Sequence, residues 1–256
     1  RPRLIHCAIT GYGQHGPYAE RPGHDLNYVA EAGLLDADRP HTTELPRMFI
    51  ADVGGGAMSA VTAILAALFA RERGGEGASL DISMYDAAIY WMMMPAAPDL
   101  IDRGREARGE LPTYGEHACY NVYDTRDGRR LAVGALEPKF WRGLCDAVGR
   151  PDLVGRQHTD VDDQRRLIAE LRGVFLQRTS AEWIAHFKGH EVCLSPVNTA
   201  ADVLADPHVA ARRLVVQADG VRAFRSPFAA EPAVLRAAPE IGADTDAVLG
   251  ALPPSS

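Results

Sequence analysis

The run Leu4-Ile5-His6-Cys7-Ala8-Ile9-Thr10 is almost wholly apolar, and no other feature limits the possible fold so strongly. A strand with one wet face alternates apolar and polar residues. A continuous apolar run instead suits a strand covered on both faces, as in a parallel sheet. In the first half of the chain only Ser79-Leu80-Asp81-Ile82-Ser83-Met84 reads similarly. Two strands do not make a stable sheet, and no Met stands before Arg1. The expectation is an α/β chain that begins inside a domain, with earlier strands lying before Arg1.

Between these strands the pattern is helical. Gly11-Tyr12-Gly13-Gln14-His15-Gly16-Pro17-Tyr18 reads as a glycine-rich loop, and Pro22 can open a helix over residues 23–32 that Gly33 stops. Residues 36–47 are polar and irregular. Asp52 is suited to cap a helix N-terminus, since Met58, Val61, Ile64, Leu65 and Leu68 follow at helical spacing up to the cations at Arg71 and Arg73. Residues 86–94 predict another helix, and residues 95–112 are a Pro- and charge-rich connector where a domain boundary is expected. Beyond it, residues 118–123 and 130–135 predict strands joined by a turn at Arg126-Asp127-Gly128. Helices are predicted over 138–148, 163–177, 181–190 and 202–212, with a short strand near Val192 and a short helix ending the loop over 240–252.

Composition narrows the partners. At 46% hydrophobic and 24% charged residues the chain is ordinary for a globular protein. A net charge of −7 lacks the basic footprint of a nucleic-acid binder, though local arginines could still hold an anionic ligand. Cys7, Cys119, Cys145 and Cys193 form no ligand-like cluster, which predicts a reduced, cytoplasmic protein with no metal site. No uninterrupted apolar run approaches the roughly 18 residues of a membrane span, so no membrane partner is expected. His186 and His190 have a metal-ligand spacing but lack a third ligand, and read as surface residues. The Gly11–Gly16 loop lacks the helix start of a dinucleotide site. Met92-Met93-Met94 could border an acyl pocket, but a helix facing the core is the preferred reading.

Three stretches hold titratable groups beside helix starts or turns: Gly23-His24-Asp25-Leu26-Asn27-Tyr28, Asp52-Val53-Gly54-Gly55-Gly56 and Gly134-Ala135-Leu136-Glu137-Pro138. With Ile9-Thr10-Gly11-Tyr12-Gly13-Gln14-His15-Gly16-Pro17-Tyr18, Tyr85-Asp86-Ala87-Ala88 and Tyr123-Asp124-Thr125-Arg126-Asp127-Gly128, they make the chain resemble the family III CoA-transferase and racemase group. Within that group it is most similar to the α-methylacyl-CoA racemases. The resemblance covers the whole chain but not the whole family, whose members carry about a hundred further residues before Arg1. It implies a family III CoA-transferase fold: a Rossmann-like large domain, incomplete at its N-terminus, plus a smaller α+β domain, in an interlocked homodimer. The implied layout is 1–94 for the large domain, 95–117 for a linker, 118–212 for the small domain, and 213–256 for a return linker and a segment packing on the large domain.

The same resemblance implies roles. Asp52 matches an aspartate that is a nucleophile in the transferases and a base in the racemases. His24, Asn27, Tyr28 and Glu137 match racemase positions, where transferases usually carry Tyr in place of the histidine. Racemising a 2-methylacyl-CoA needs a base on each face of the carbon next to the thioester and a donor for the enolate oxygen. His24 and Asp52 would serve opposite faces, and Glu137 would orient the imidazole. The Asp25 N–H would face the oxyanion, a contact worth about 3–4 kcal/mol. Gly54, Gly55 and Leu136 complete the implied substrate site, and no cofactor is needed beyond the CoA of the acyl-CoA substrate. Taken singly, the residues are blander: Asp52 a helix cap, His24 a helix-start histidine, Glu137 a turn residue. A CoA transferase using Asp52 as nucleophile and a catalytically inactive fragment are the alternatives.

Overall fold

The computed structural model describes residues 2–38, 48–100, 115–218, 220–228 and 238–251. The two apolar runs form β1 (Ile5–Thr10) and β2 (Ala78–Ser83), paired in parallel from Ile5 opposite Ala78 to Thr10 opposite Ser83. Parallel strands need a crossover, and the intervening chain supplies helices: α1 (Asp25–Glu31), α2 (Leu34–Asp38), a π-helical turn (Ile50–Ala57) and α3 (Met58–Glu72). α3 packs on both strands. Ser83 closes β2 and caps α4 (Met84–Trp91) by accepting the Asp86 N–H at 3.1 Å, while the Tyr85 N–H donates to the Gly11 carbonyl at 2.9 Å. The carboxyl ends of both strands are thereby tied together, the place where open α/β sheets hold their ligands.

A small core forms there from Tyr12, Tyr28, Val29, Ala51 and Ala88. The Tyr12 and Tyr28 rings meet edge to face at 5.1 Å, the arrangement their quadrupoles favour. α5 (Ala97–Leu100) lies in the expected connector; residues 101–112 of that connector, and most of the polar stretch predicted over 36–47, fall outside the described residues.

The second half holds a three-stranded sheet in the order β3 (Tyr120–Asp124), β4 (Arg130–Gly134), β5 (Leu194–Pro196). The same half of the chain carries α6 (Pro138–Ala147), a 3-10 turn (Pro151–Arg156), α7 (Val161–Phe175) and α8 (Ser180–His186). The chain divides into two compact units. One draws on Arg1–Val122, Val133–Val174 and His190–Cys193; the other on Tyr123–Ala132, Phe175–Gly189 and Leu194–Ser256. In the first, Trp141, Leu144, Leu153, Leu167 and Leu171 are fully buried. In the second, Phe175 stacks on Tyr123 at 4.8 Å and accepts the Trp183 indole N–H at its carbonyl, 2.8 Å away.

Several expectations change. The helix predicted over 202–212 is two, α9 (Ala200–Ala205) and α10 (Pro207–Ala211), because Asp206 before Pro207 is held extended and accepts the His208 and Val209 N–H groups. A further antiparallel pair, β6 (Val215–Ala218) and β7 (Val221–Phe224), was not predicted; its strands are short, and Gly220 adopts the positive φ its turn needs. The tail carries α11 (Thr245–Gly250) as expected. Ile50–Glu72 is also long and apolar enough, by length and composition only, to cross a membrane. It is not an unbroken apolar run, because Asp52, Gly54–Gly56, Ser59 and Thr62 interrupt an otherwise Ala-rich stretch.

Candidate active site

His24 stands in extended conformation at the N-cap of α1, its side chain exposed. The residues after it hold it there. Its backbone N–H donates to Asn27 Oδ1 at 3.1 Å, and its carbonyl accepts the Asn27 N–H at 2.8 Å. Tyr28 is buried, and its hydroxyl donates to the Gly23 carbonyl at 2.7 Å. A Cβ on Gly23 would come within 2.7 Å of the Tyr28 ring, so only glycine lets the ring lie under the helix start. The Asp25 N–H has no acceptor among the described residues, as the first N–H of a helix commonly lacks one.

Asp52 does not cap a helix. Phe49 occupies the N-cap, and Asp52 is the third residue of the π-helical turn, in which the Val53 and Gly54 N–H groups share the Phe49 carbonyl at 3.2 and 3.4 Å. The capping acceptor comes from a distant part of the chain: Asp25 Oδ1 accepts the Ala51 N–H at 2.7 Å and the Asp52 N–H at 2.9 Å. The three glycines explain how the turn fits. A Cβ on Gly55 would lie 2.9 Å from Ala87 Cβ, and one on Gly56 2.7 Å from Met84 Cγ, so both seat the turn on α4. A Cβ on Gly54 would meet nothing within 4 Å. π-turns of this kind recur at functional sites.

The Asp52 side chain is half-buried, and its Oδ1 is buried without a hydrogen-bond partner among the described residues. Burial raises its carboxyl pKa, the Asp25 charge raises it further, and His24 acts in the opposite sense. The Tyr28 phenol is raised as well, by burial and then by Asp52. His24, Asp25, Tyr28 and Asp52 therefore share one electrostatic neighbourhood. A half-buried carboxyl with an unpartnered oxygen and a raised pKa can exchange a proton or attack an electrophile.

Glu137 caps α6, with Pro138 at the first helical position, and its carboxylate is exposed. Its loop is fixed through the backbone: Gln157 Nε2 donates to the Leu136 carbonyl at 2.7 Å and to the Ala135 carbonyl at 3.2 Å. Leu136 is half-buried. Among the described residues no hydrogen bond or ion pair joins Glu137 to His24, so the expected contact is not made within this chain. No group of three or more His, Cys, Asp or Glu that could hold a metal occurs among the described residues.

Sequence reasoning assigned Asp25 only its backbone N–H and missed the acceptor role of its carboxylate. An acidic residue directly after the histidine of a helix-start motif was the available signal.

The family model described as CoA-transferase family III matches residues 1–245. The chain is 31% identical over 212 residues to the alpha-methylacyl-CoA racemase of Homo sapiens, covering 81% of this chain and 55% of that protein. It is 29% identical over 223 residues to the succinyl-CoA:glutarate CoA-transferase of Mus musculus, covering 84% of this chain and 50% of that one. The chain thus spans about half the length of these curated relatives. Among solved structures, a CAIB/BAIF family protein from Brucella suis superposes with a TM-score of 0.75 at 27% identity, covering 98% of this chain and 68% of that one.

Proposed function

The chain belongs to CoA-transferase family III, and from that membership we propose that it interconverts (2R)- and (2S)-2-methylacyl-CoA thioesters by 1,1-proton transfer. The observation that carries this reading is the placing of His24 beside Asp52, close enough for the imidazole to act on the Asp52 carboxyl. One removes the C2 proton, leaving an enolate whose oxygen the Asp25 N–H receives. The other returns a proton to the opposite face, and their roles exchange with the handedness of the substrate. The raised pKa of Asp52 suits both directions, because a carboxyl that holds its proton more readily can donate as well as accept. No electron leaves the system, so this reaction needs no cofactor beyond the CoA of the substrate. Gly54, open where Gly55 is packed, leaves room for the thioester along the turn.

Glu137 enters this mechanism through a second copy of the chain. In an interlocked homodimer it orients the His24 imidazole of the partner, the contact the single chain does not make. Mixing the inactive His24→Ala chain with the slowed Glu137→Gln chain would then form one intact site per mixed dimer and raise the activity above that of the Glu137→Gln chain alone. No gain on mixing would refute the contribution of Glu137 from a second copy.

A second reading is supported by the same carboxylate. The unpartnered Asp52 Oδ1 also suits a nucleophile that takes the acyl group and then CoA, and the succinyl-CoA:glutarate CoA-transferase is among the relatives. Two incubations separate the readings. Solvent deuterium entering C2 of a 2-methylacyl-CoA identifies the racemase. CoA exchange between an acyl-CoA and a free carboxylic acid, without C2 deuterium, identifies the transferase.

A further inference from the structure

Asp25 directly follows His24, yet its side chain acts on a segment 26 residues further along. Its Oδ1 accepts two successive backbone N–H groups, from Ala51 and Asp52, at 2.7 and 2.9 Å. Both are first-turn donors without helical acceptors, and Phe49, at the cap, offers no side-chain acceptor. We propose that the Asp25 carboxylate is a positioning residue for proton transfer: it fastens the Asp52 backbone to the helix start bearing His24, and its charge bears on the Asp52 carboxyl. This inference rests on the proton-transfer reading for its purpose, though not for its geometry.

Two observations separate this role from simple capping. An amide oxygen could accept the same two N–H groups, so an aspartate is not needed for the bonds themselves. Its negative charge also sits against a second, half-buried carboxylate, an arrangement that costs stability and is characteristic of sites where a perturbed carboxyl serves chemistry. The charges acting on Asp52 are those of Asp25 and His24 in the α1 segment, and Asp52 in turn raises the Tyr28 phenol. α4, α3 and β1 also pack on the turn, and among the described residues no charge from them acts on Asp52. The upward pull on Asp52 therefore has one charged source, Asp25, against one charged opponent, His24. The Asp25 carboxylate thus fixes the Asp52 backbone and adds its charge to the burial that raises the Asp52 carboxyl.

The test compares Asp25→Asn, which keeps the acceptor and removes the charge, with Asp25→Ala, which removes both. The Asp52 carboxyl is titrated directly by carbon-13 NMR of the 256-residue chain, assigned with Asp52→Asn. Asp25→Asn should keep the Ala51 and Asp52 amides protected from hydrogen exchange while lowering the Asp52 midpoint by about 0.5–1 pH unit. Asp25→Ala should speed exchange of those two amides by about 100-fold. An unmoved midpoint in Asp25→Asn overturns the proposal, as does unchanged exchange in Asp25→Ala; if the alanine variant does not fold, the asparagine titration alone decides. C2 deuterium exchange distinguishes this failure from failure of the functional reading. A lowered midpoint in a chain that exchanges no C2 proton would sustain the coupling and refute the racemase. In an active chain the acid limb of the pH–rate profile should move down with the midpoint.

Discussion

Two carboxylate systems in this chain behave oppositely. Around α7, Arg156 holds Asp163 through two bonds of 2.8 and 3.0 Å and Glu170 at 2.8 Å, while Arg150 reaches Glu170 at 2.8 Å and also binds Asp152. The bonds from Arg156, then from Thr159, pull Asp163 down to about 2, and Glu170 is lowered by the same two arginines. Asp152, Asp163 and Glu170 each have a cation. Around the π-turn, Asp25 accepts two backbone N–H groups, Asp52 Oδ1 has no partner among the described residues, and the nearby imidazole is that of the exposed His24. Burial and like charge raise Asp52. The first arrangement stabilises a fold; the second holds a group ready to change its proton.

Substituting Asp52 should break the contrast most severely. Asp52→Asn or His24→Ala should lower C2 proton exchange by about 10³-fold or more. Each variant should retain slow exchange from one enantiomer only, and equal residual exchange from both would refute the two-base assignment. Asp52→Asn should also raise Tm by about 1–3 °C. A carboxyl whose pKa is raised on folding favours the fold below its unfolded value and loses that contribution as pH rises through the folded one. The advantage of Asp52→Asn should therefore vanish in acid, which thermal melts across pH would reveal.

Packing of the turn comes next. Gly55→Ala should destabilise the protein by about 1–3 kcal/mol, since its Cβ must displace Ala87; denaturant midpoints would measure it. Arg156→Leu should do less, lowering Tm by about 2–4 °C at neutral pH with C2 exchange unaltered. Its deficit should close between about pH 4 and 2, because Asp163, lowered on folding, contributes only above its unfolded pKa and loses that contribution as pH falls. Opposite signs for Asp52→Asn and Arg156→Leu, converging in acid, would establish the contrast; equal signs would end it. Gly54→Ala should have the smallest effect on the fold, within about 0.5 kcal/mol. A raised KM for acyl-CoA with unchanged Tm would then mark Gly54 as the turn residue facing substrate.

Much of this could be read locally. The apolar runs at β1 and β2, the histidine at the start of α1, Glu137 ahead of Pro138 and the turn at Gly128 all follow from residue types acting within a few positions of themselves. Their recognition needed no neighbours from elsewhere in the chain. Where such signals were short, as at β6 and β7, or where an acid–proline pair cut a helical pattern, as at Asp206-Pro207, element boundaries or whole elements were missed.

The tertiary structure decided the rest, because it alone sets which polar groups lose their water. The sequence marked Asp52 as an acid beside a helix; folding placed it inside a π-turn, buried one oxygen without a partner, and assigned the capping to Asp25 from 26 residues earlier. Three consecutive glycines look alike in the sequence, yet Ala87 and Met84 press on two of them and leave Gly54 open. Residue identity determines what a side chain can donate, accept or ionise. Its neighbours across the fold determine the desolvation and nearby charge under which it does so, and these are properties of distance in space rather than along the chain.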